Sequence, residues 1–180
     1  MTEDELVDLM TSLEEGVPVP GKAAAFEDEA RRLAVGEHGR AQLLAAAGEH
    51  WQMRGEYDEA RRCYREARVD GGDALVDIWA HFLSLALAEG DEEQVTVVDK
   101  SLRVAVSVDA LEPATCHFVG ESYELHGRLR DALRWFTLPL TWGEEDDLDD
   151  ECLRARWRVR RDLGLPIDRL DSLATPPGPG

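Results

Sequence analysis

Lysine is nearly absent from this 180-residue chain: Lys22 and Lys100 stand against 18 arginines. Both bases are good helix formers, so folding does not demand the bias. A GC-rich bacterial genome accounts for it more simply. Cysteine is scarce as well. Cys63, Cys116 and Cys152 are an odd number, far apart, without metal-type pairing, which suits a reduced cytosol. No apolar run approaches the roughly 18 residues of a membrane span. The opening Met1-Thr-Glu-Asp-Glu5 is acidic where a signal peptide starts basic and then turns apolar. A cytoplasmic location is therefore expected. Positive charge is in deficit, with 38 acids, 20 bases and a formal charge of -18. A field of that sign repels phosphate backbones and anionic membranes, so neither nucleic acid nor membrane is an expected partner. Catalytic signatures are missing too. His38, His50, His81, His117 and His126 are scattered with no metal spacing. There is no GxSxG, P-loop or dinucleotide fingerprint. Cys116 and His117 are neighbours, but adjacent residues on a helix point about 100° apart, which is poor for thiolate activation. No enzyme, cofactor or metal is expected.

What is present reads as helix throughout. The length predicts one domain over 1–173, and such a chain buries about 70% of its unfolded surface without disulfide or metal staples. Thr2 followed by Glu5 is a capping-box pattern, and Leu6, Leu9, Met10 and Leu13 recur at helical spacing. The expected first helix runs from Thr2 to about Glu15. Gly16-Val-Pro-Val-Pro-Gly21 should break it, because Pro18 and Pro20 hold the chain extended. A second helix is expected over 22–35 with Phe26, Ala30 and Leu33 inward. Residues 1–40 thus form N-terminal helices around a Pro/Gly linker.

From Arg40 the text becomes repetitive. Gly55-Glu-Tyr-Asp-Glu-Ala-Arg-Arg-Cys-Tyr64 aligns without a gap on Gly127-Arg-Leu-Arg-Asp-Ala-Leu-Arg-Trp-Phe136, at an offset that also carries Gly48 onto Gly120 and Trp51 onto Tyr123. Halfway between lies Gly90-Asp-Glu-Glu-Gln-Val95. A period of this kind, with one glycine turn per unit, is that of a helix-turn-helix array. Residues 41–139 resemble three tetratricopeptide (TPR) repeats. Gly48, Trp51, Gly55, Ala60, Tyr64 and Ala67 match the family pattern in the first, and Gly120, Tyr123, Gly127, Ala132 and Phe136 in the third. The middle repeat departs from it: Leu83 replaces the packing glycine, Val95 the alanine and Asp99 the second aromatic. Pro139 should stop the last repeat helix near Phe136 or Thr137. The resemblance implies an all-α fold, a TPR-like helical-hairpin superhelix with N- and C-terminal flanking helices.

It also implies where a partner binds. In the family, ligands touch fixed positions of each first helix, here Gln42, Glu49, Gln52 and Met53, then Asp77, Ser84 and Leu87, then His117, Glu121, Glu124 and Leu125. Members that clamp a terminal carboxylate use basic residues and asparagine there, and this chain has none. Glu49, Asp77, Glu121 and Glu124 would repel an acidic tail. The expected partner is a protein or peptide with basic or mixed-polarity side chains, held in a concave acidic groove by a non-catalytic adaptor. Its apolar groups would bury against Trp79, Leu87 or Met53. Two other readings stay open. The chain could be a structural subunit that forms a homodimer or larger assembly through Leu6, Leu9, Met10 and Leu13, or a ligand-sensing regulator of TPR type.

The C-terminal region, 140–173, reads as an acidic loop and a capping helix. The run Glu144 to Glu151 lacks the glycine and carboxylate spacing of a calcium loop. Acids placed ahead of a helix offset its dipole instead. Leu153, Ala155, Trp157 and Val159 alternate with arginines in a strand-like manner, yet the composition favours a helix from Cys152 to about Leu163. Arg156 and Arg160 fall within its apolar arc and should snorkel or pair with acids, most simply those of 144–151. The tail 174–180 is expected to be disordered.

Overall fold

A computed structural model describes residues 1–106, 111–142 and 149–174. The protein is all-α, with ten helices and one 3-10 turn among the described residues and no strand. The chain divides into two compact units, Met1–Glu89 and Gly90–Gly180.

The first unit holds α1 (Glu3–Gly16), α2 (Val19–Arg32), α3 (Arg40–Met53), α4 (Tyr57–Asp70) and α5 (Ile78–Glu89). The capping box is formed: Thr2 Oγ1 accepts from Glu5 N at 3.3 Å, and Thr2 N donates to Glu5 Oε2 at 2.7 Å. Leu6 and Leu13 are buried against Phe26, Ala30, Leu43, Leu44 and Cys63, with Leu9 and Met10 packed alongside. The apolar stripe of α1 is thus consumed by the core of its own unit.

The break after α1 is shorter than the prolines suggest. Only Val17 and Pro18 lie outside helix, and α2 starts at Val19 with Pro20 in its first turn. The reason is local: a first-turn residue has no carbonyl to donate to, and proline's fixed φ already suits the helix. The second helix therefore runs three residues earlier at each end than expected. Phe26 and Ala30 are fully buried, whereas Leu33 is only half-buried.

The third helix is buried on most of its circumference, through Ala41, Leu43, Leu44, Ala45, Ala46, Ala47 and Gly48. Small residues on several faces let α2 and α4 approach it from different sides. At Gly48 the ring of Tyr64 occupies the space of a missing side chain, with Cδ1 2.7 Å and Cζ 2.9 Å from where a Cβ would stand. Gly55 then turns the chain into α4 at φ +75°, a left-handed conformation that costs other residues. One buried acid ties three helices together. Glu27 accepts from Trp51 Nε1 at 2.6 Å, Arg62 Nη2 at 2.9 Å and Arg31 Nη2 at 2.5 Å. Burial alone would raise its carboxyl, but the Trp51 and Arg62 hydrogen bonds hold it below the ordinary value.

The second unit holds α6 (Glu92–Val106), α7 (Pro113–Leu125), α8 (Leu129–Thr137), a 3-10 turn (Pro139–Thr141), α9 (Asp150–Asp162) and α10 (Arg169–Leu173). Gly120 repeats the Gly48 arrangement: Phe136 Cδ1 lies 2.6 Å and Cζ 2.8 Å from a virtual Cβ. The departure at Asp99 has a structural reason. Its Oδ1 accepts from Tyr123 Oη and Trp135 Nε1, both at 2.9 Å, so a carboxylate serves two buried aromatic donors where the other repeats carry a ring. The stop at Thr137 is as expected from Pro139.

The alternating segment is helical, with Asp149 capping α9 by accepting from Cys152 N at 2.6 Å. Residues 144–148 of the acidic run and 175–180 of the tail lie outside the described residues. The expected source of acids for Arg156 and Arg160 is corrected. Both pair with Asp168 and Asp171, which the turn after α9 folds back onto them. Within the acidic run, Asp150 pairs with Arg154 instead.

Candidate interaction surfaces

The residues that the repeat pattern singles out divide into those spent on the fold and those left to solvent. In the first unit Gln42 Oε1 accepts from Leu75 N at 2.7 Å, which fixes the loop after α4. Gln52 is spent on both sides, donating to Ser84 Oγ at 2.9 Å and accepting from Tyr64 Oη at 3.1 Å. Asp77 accepts from Trp79 N at 2.8 Å at the start of α5. Leu87 is a core residue. Trp79 is half-buried, with the Arg68 guanidinium 4.2 Å from its ring centroid. Glu49 stands with Oε1 3.2 Å from His81 Nδ1 and is two-fifths exposed. Met53 is 71% exposed.

In the second unit Glu124 receives a bidentate pair from Arg158, at 2.9 and 2.7 Å. That hydrogen bonding holds the Arg158 guanidinium above its ordinary value. His117 is half-buried, tilted against Phe136 at 5.6 Å between centroids, and lies 3.8 Å from Glu121. Glu121 is exposed and Leu125 is 84% exposed.

A pattern emerges from what remains. Glu49 and Met53 lie four apart on α3, so they share a face, and Glu121 and Leu125 do the same on α7. The first helices of the two matching hairpins, α3 and α7, therefore each present one acid and one bare apolar side chain at equivalent positions. In both cases a histidine stands beside the acid.

Sequence reasoning missed one feature altogether. The second unit contains an open cavity of about 650 Å³ lined by Val106, Leu133, Trp135, Leu138 and Leu163 among others, with Arg103, Arg130 and Arg134 around it. Its walls come from three separate stretches of chain, so no single window of sequence displays it. The one local trace is the alternation of Arg130 and Arg134 with Leu133 and Trp135 along α8.

The thiols are inert by environment. Cys63, Cys116 and Cys152 are free and buried. Burial pushes Cys63 and Cys116 up to about 12 and Cys152 higher still. A thiol-exchange reagent at pH 8 is thus expected to label none of the three within minutes in the native protein and all three in denaturant. Rapid native labelling of any of them would contradict their placement.

By fold the chain is an all-α protein of packed helical hairpins, and no helix among the described residues is long and apolar enough to cross a membrane. Comparison with protein families, with curated proteins and with solved structures finds no match to this chain.

Proposed function

We propose that this is a TPR-like, non-catalytic adaptor of the cytoplasm that binds protein segments of basic or mixed polarity. The observation that carries the reading is the repeated Glu-x-x-x-apolar face on the first helix of each matching hairpin, Glu49 with Met53 and Glu121 with Leu125. What supports the reading is that the same acid–apolar pair recurs, exposed, at equivalent places of two hairpins, where each apolar side chain is open to cover by a partner. On each face by itself, a partner segment would lay an apolar group on Met53 or on Leu125 and set a basic group against the neighbouring Glu49 or Glu121. Gln42, Gln52, Ser84, Asp77 and Leu87 then act by shaping the helices rather than by touch, and Glu124 by holding α9.

Affinity capture from the native host, at low and moderate salt, tests this. Wild type is expected to retain a defined partner that Met53→Ser/Leu125→Ser loses by about tenfold or more, since two buried anchors are removed. Glu49→Gln/Glu121→Gln should weaken capture mainly at low salt, where exposed charges act. Identical recovery by wild type and both variants, with unchanged circular dichroism, would sink the proposal.

A further inference from the structure

The cavity of the second unit has a composition opposite to that of the chain around it. Acids outnumber bases 38 to 20 overall, yet the described lining holds three arginines and no carboxylate. Its remaining walls are apolar apart from two hydroxyls, and both are committed. Thr137 Oγ1 donates to Leu133 O at 2.6 Å, and Thr141 Oγ1 donates to Leu138 O at 2.7 Å. The indole N–H of Trp135 is turned to Asp99. The donors left for a ligand are therefore guanidinium groups. Arg103 is anchored on Asp99 and lies 5.9 Å over the Trp135 ring. Arg134 is two-thirds exposed with a 3.5 Å pairing to Asp131, and Arg130 has no ion pair or hydrogen bond among the described residues.

These facts select an occupant. A cation would be repelled. A peptide would bring many backbone N–H groups to walls whose side-chain acceptors are two threonine hydroxyls, and each unpaired donor would cost desolvation. A neutral apolar molecule would leave Arg130 without a counter-ion among the described residues and Arg134 with only its 3.5 Å pairing to Asp131. The volume of about 650 Å³ falls among small-ligand sites, which run from roughly 300 to 1,000 Å³. We propose that the cavity binds a small amphiphilic anion of the fatty-carboxylate class. Its chain lies against Leu133, Leu138 and Leu163, beneath which Trp135 is buried, and its carboxylate is held by Arg130 and Arg134 through charge-assisted hydrogen bonds. This site shares no lining residue with the Glu49 and Glu121 faces and does not rest on the adaptor reading.

Calorimetric titration of the full chain with dodecanoate, below its micelle concentration, tests the assignment. Dodecan-1-ol and dodecyltrimethylammonium serve as neutral and cationic controls of equal length. Wild type should bind one dodecanoate saturably, and the alcohol about tenfold more weakly or less. Arg130→Glu/Arg134→Glu, both exposed positions, should lower dodecanoate affinity about tenfold or more, with Arg130→Gln/Arg134→Gln intermediate. Glu49→Gln/Glu121→Gln should leave it unchanged, which separates this site from the adaptor faces. Absence of saturable dodecanoate binding overturns the proposal, as does equal binding of acid and alcohol or indifference to both arginine variants. Light scattering that shows self-association abolished by the arginine variants, with no dodecanoate uptake, would overturn it in favour of a second copy of the chain.

Discussion

Gly120→Ala is expected to destabilise the second unit by about 1–3 kcal/mol, the cost of overpacking a well-filled core. The sign runs against intrinsic preference. In an exposed helix interior alanine is favoured over glycine by about 1 kcal/mol. Here the added Cβ would stand within 2.6 Å of Phe136 Cδ1 and within 2.8 Å of Cζ, where ordinary contact needs 3.4 Å or more. The ring cannot swing aside, because Phe136 is itself fully buried between helices. Either α7 and α8 separate or the ring leaves its rotamer, and both cost more than the propensity gain. Gly48→Ala should behave alike in the first unit against Tyr64. Gly16→Ala is the control: nothing lies within 4 Å of its virtual Cβ, so it should be neutral or slightly stabilising. Urea denaturation of the three variants is the measurement. If Gly120→Ala matched Gly16→Ala, the close approach of α7 and α8 would be wrong. A double-mutant cycle with Phe136→Leu should show the two sites coupled, the smaller side chain relieving part of the alanine's cost.

Arg156→Met should cost about 3–5 kcal/mol, the range for breaking a buried ion pair from one side. Arg156 is 5% exposed and its partner Asp171 is 7% exposed. The guanidinium donates to Asp171 at 2.6 Å and to both oxygens of Asp168, at 3.1 and 2.5 Å. Methionine fills the stem's volume but leaves Asp171 buried with only Arg160 opposite it, at 2.8 Å. That second arginine should place the loss at the lower end of the range. Arg156→Met/Asp171→Leu should recover part of it, because the stranded charge is gone. A pH signature accompanies this. The hydrogen bond from Arg156, with weaker help from the Asp171 backbone and Arg160, lowers the Asp168 carboxyl from its ordinary 3.8 to about 2. A depressed carboxyl stabilises the fold fully above its unfolded value, and that contribution disappears as pH falls through the folded one. Wild type should therefore lose stability between about pH 4 and pH 2, and Arg156→Met should be flatter across that window. Equal acid profiles for the two proteins would show that Asp168 and Arg156 are not coupled.

The agreement and disagreement between sequence and structure follow a single division. Features that depend on neighbours within a few residues were legible. Thr2 and Glu5 predict a cap because both partners lie within one turn, and Pro139 predicts the stop at Thr137 for the same reason. The matched positions Gly48, Tyr64, Gly120 and Phe136 were legible as a repeating pattern, and the rings do stand against the glycines. The start of α2 was misjudged although it too is local. Proline has two compatible roles, extended linker and first helical turn, and the residues around Pro18 and Pro20 do not choose between them.

What could not be read is how each charged side chain would be spent. Glu49 and Glu124 are alike as text, yet one stands two-fifths exposed beside a histidine and the other is locked to Arg158, 34 residues away. Arg156 and Arg160 needed acids, and the nearest run in sequence was the natural supply. The turn at Gly164 and Pro166 instead brings Asp168 and Asp171 back onto α9, a matter of chain direction rather than proximity. The arginine-rimmed cavity is of the same kind, since its walls meet only once α6, α8 and the end of α9 are packed. The sequence by itself thus determined an all-α chain, the extent of α1 and approximately that of α9, the stop of α8 and the glycine–aromatic hairpin packing, because each rests on local capping, periodicity or side-chain size. Only the tertiary structure decided which acids remain exposed, which arginine is buried and where the cavity opens. Those outcomes depend on partners many residues apart, whose meeting is set by packing and not by local preference.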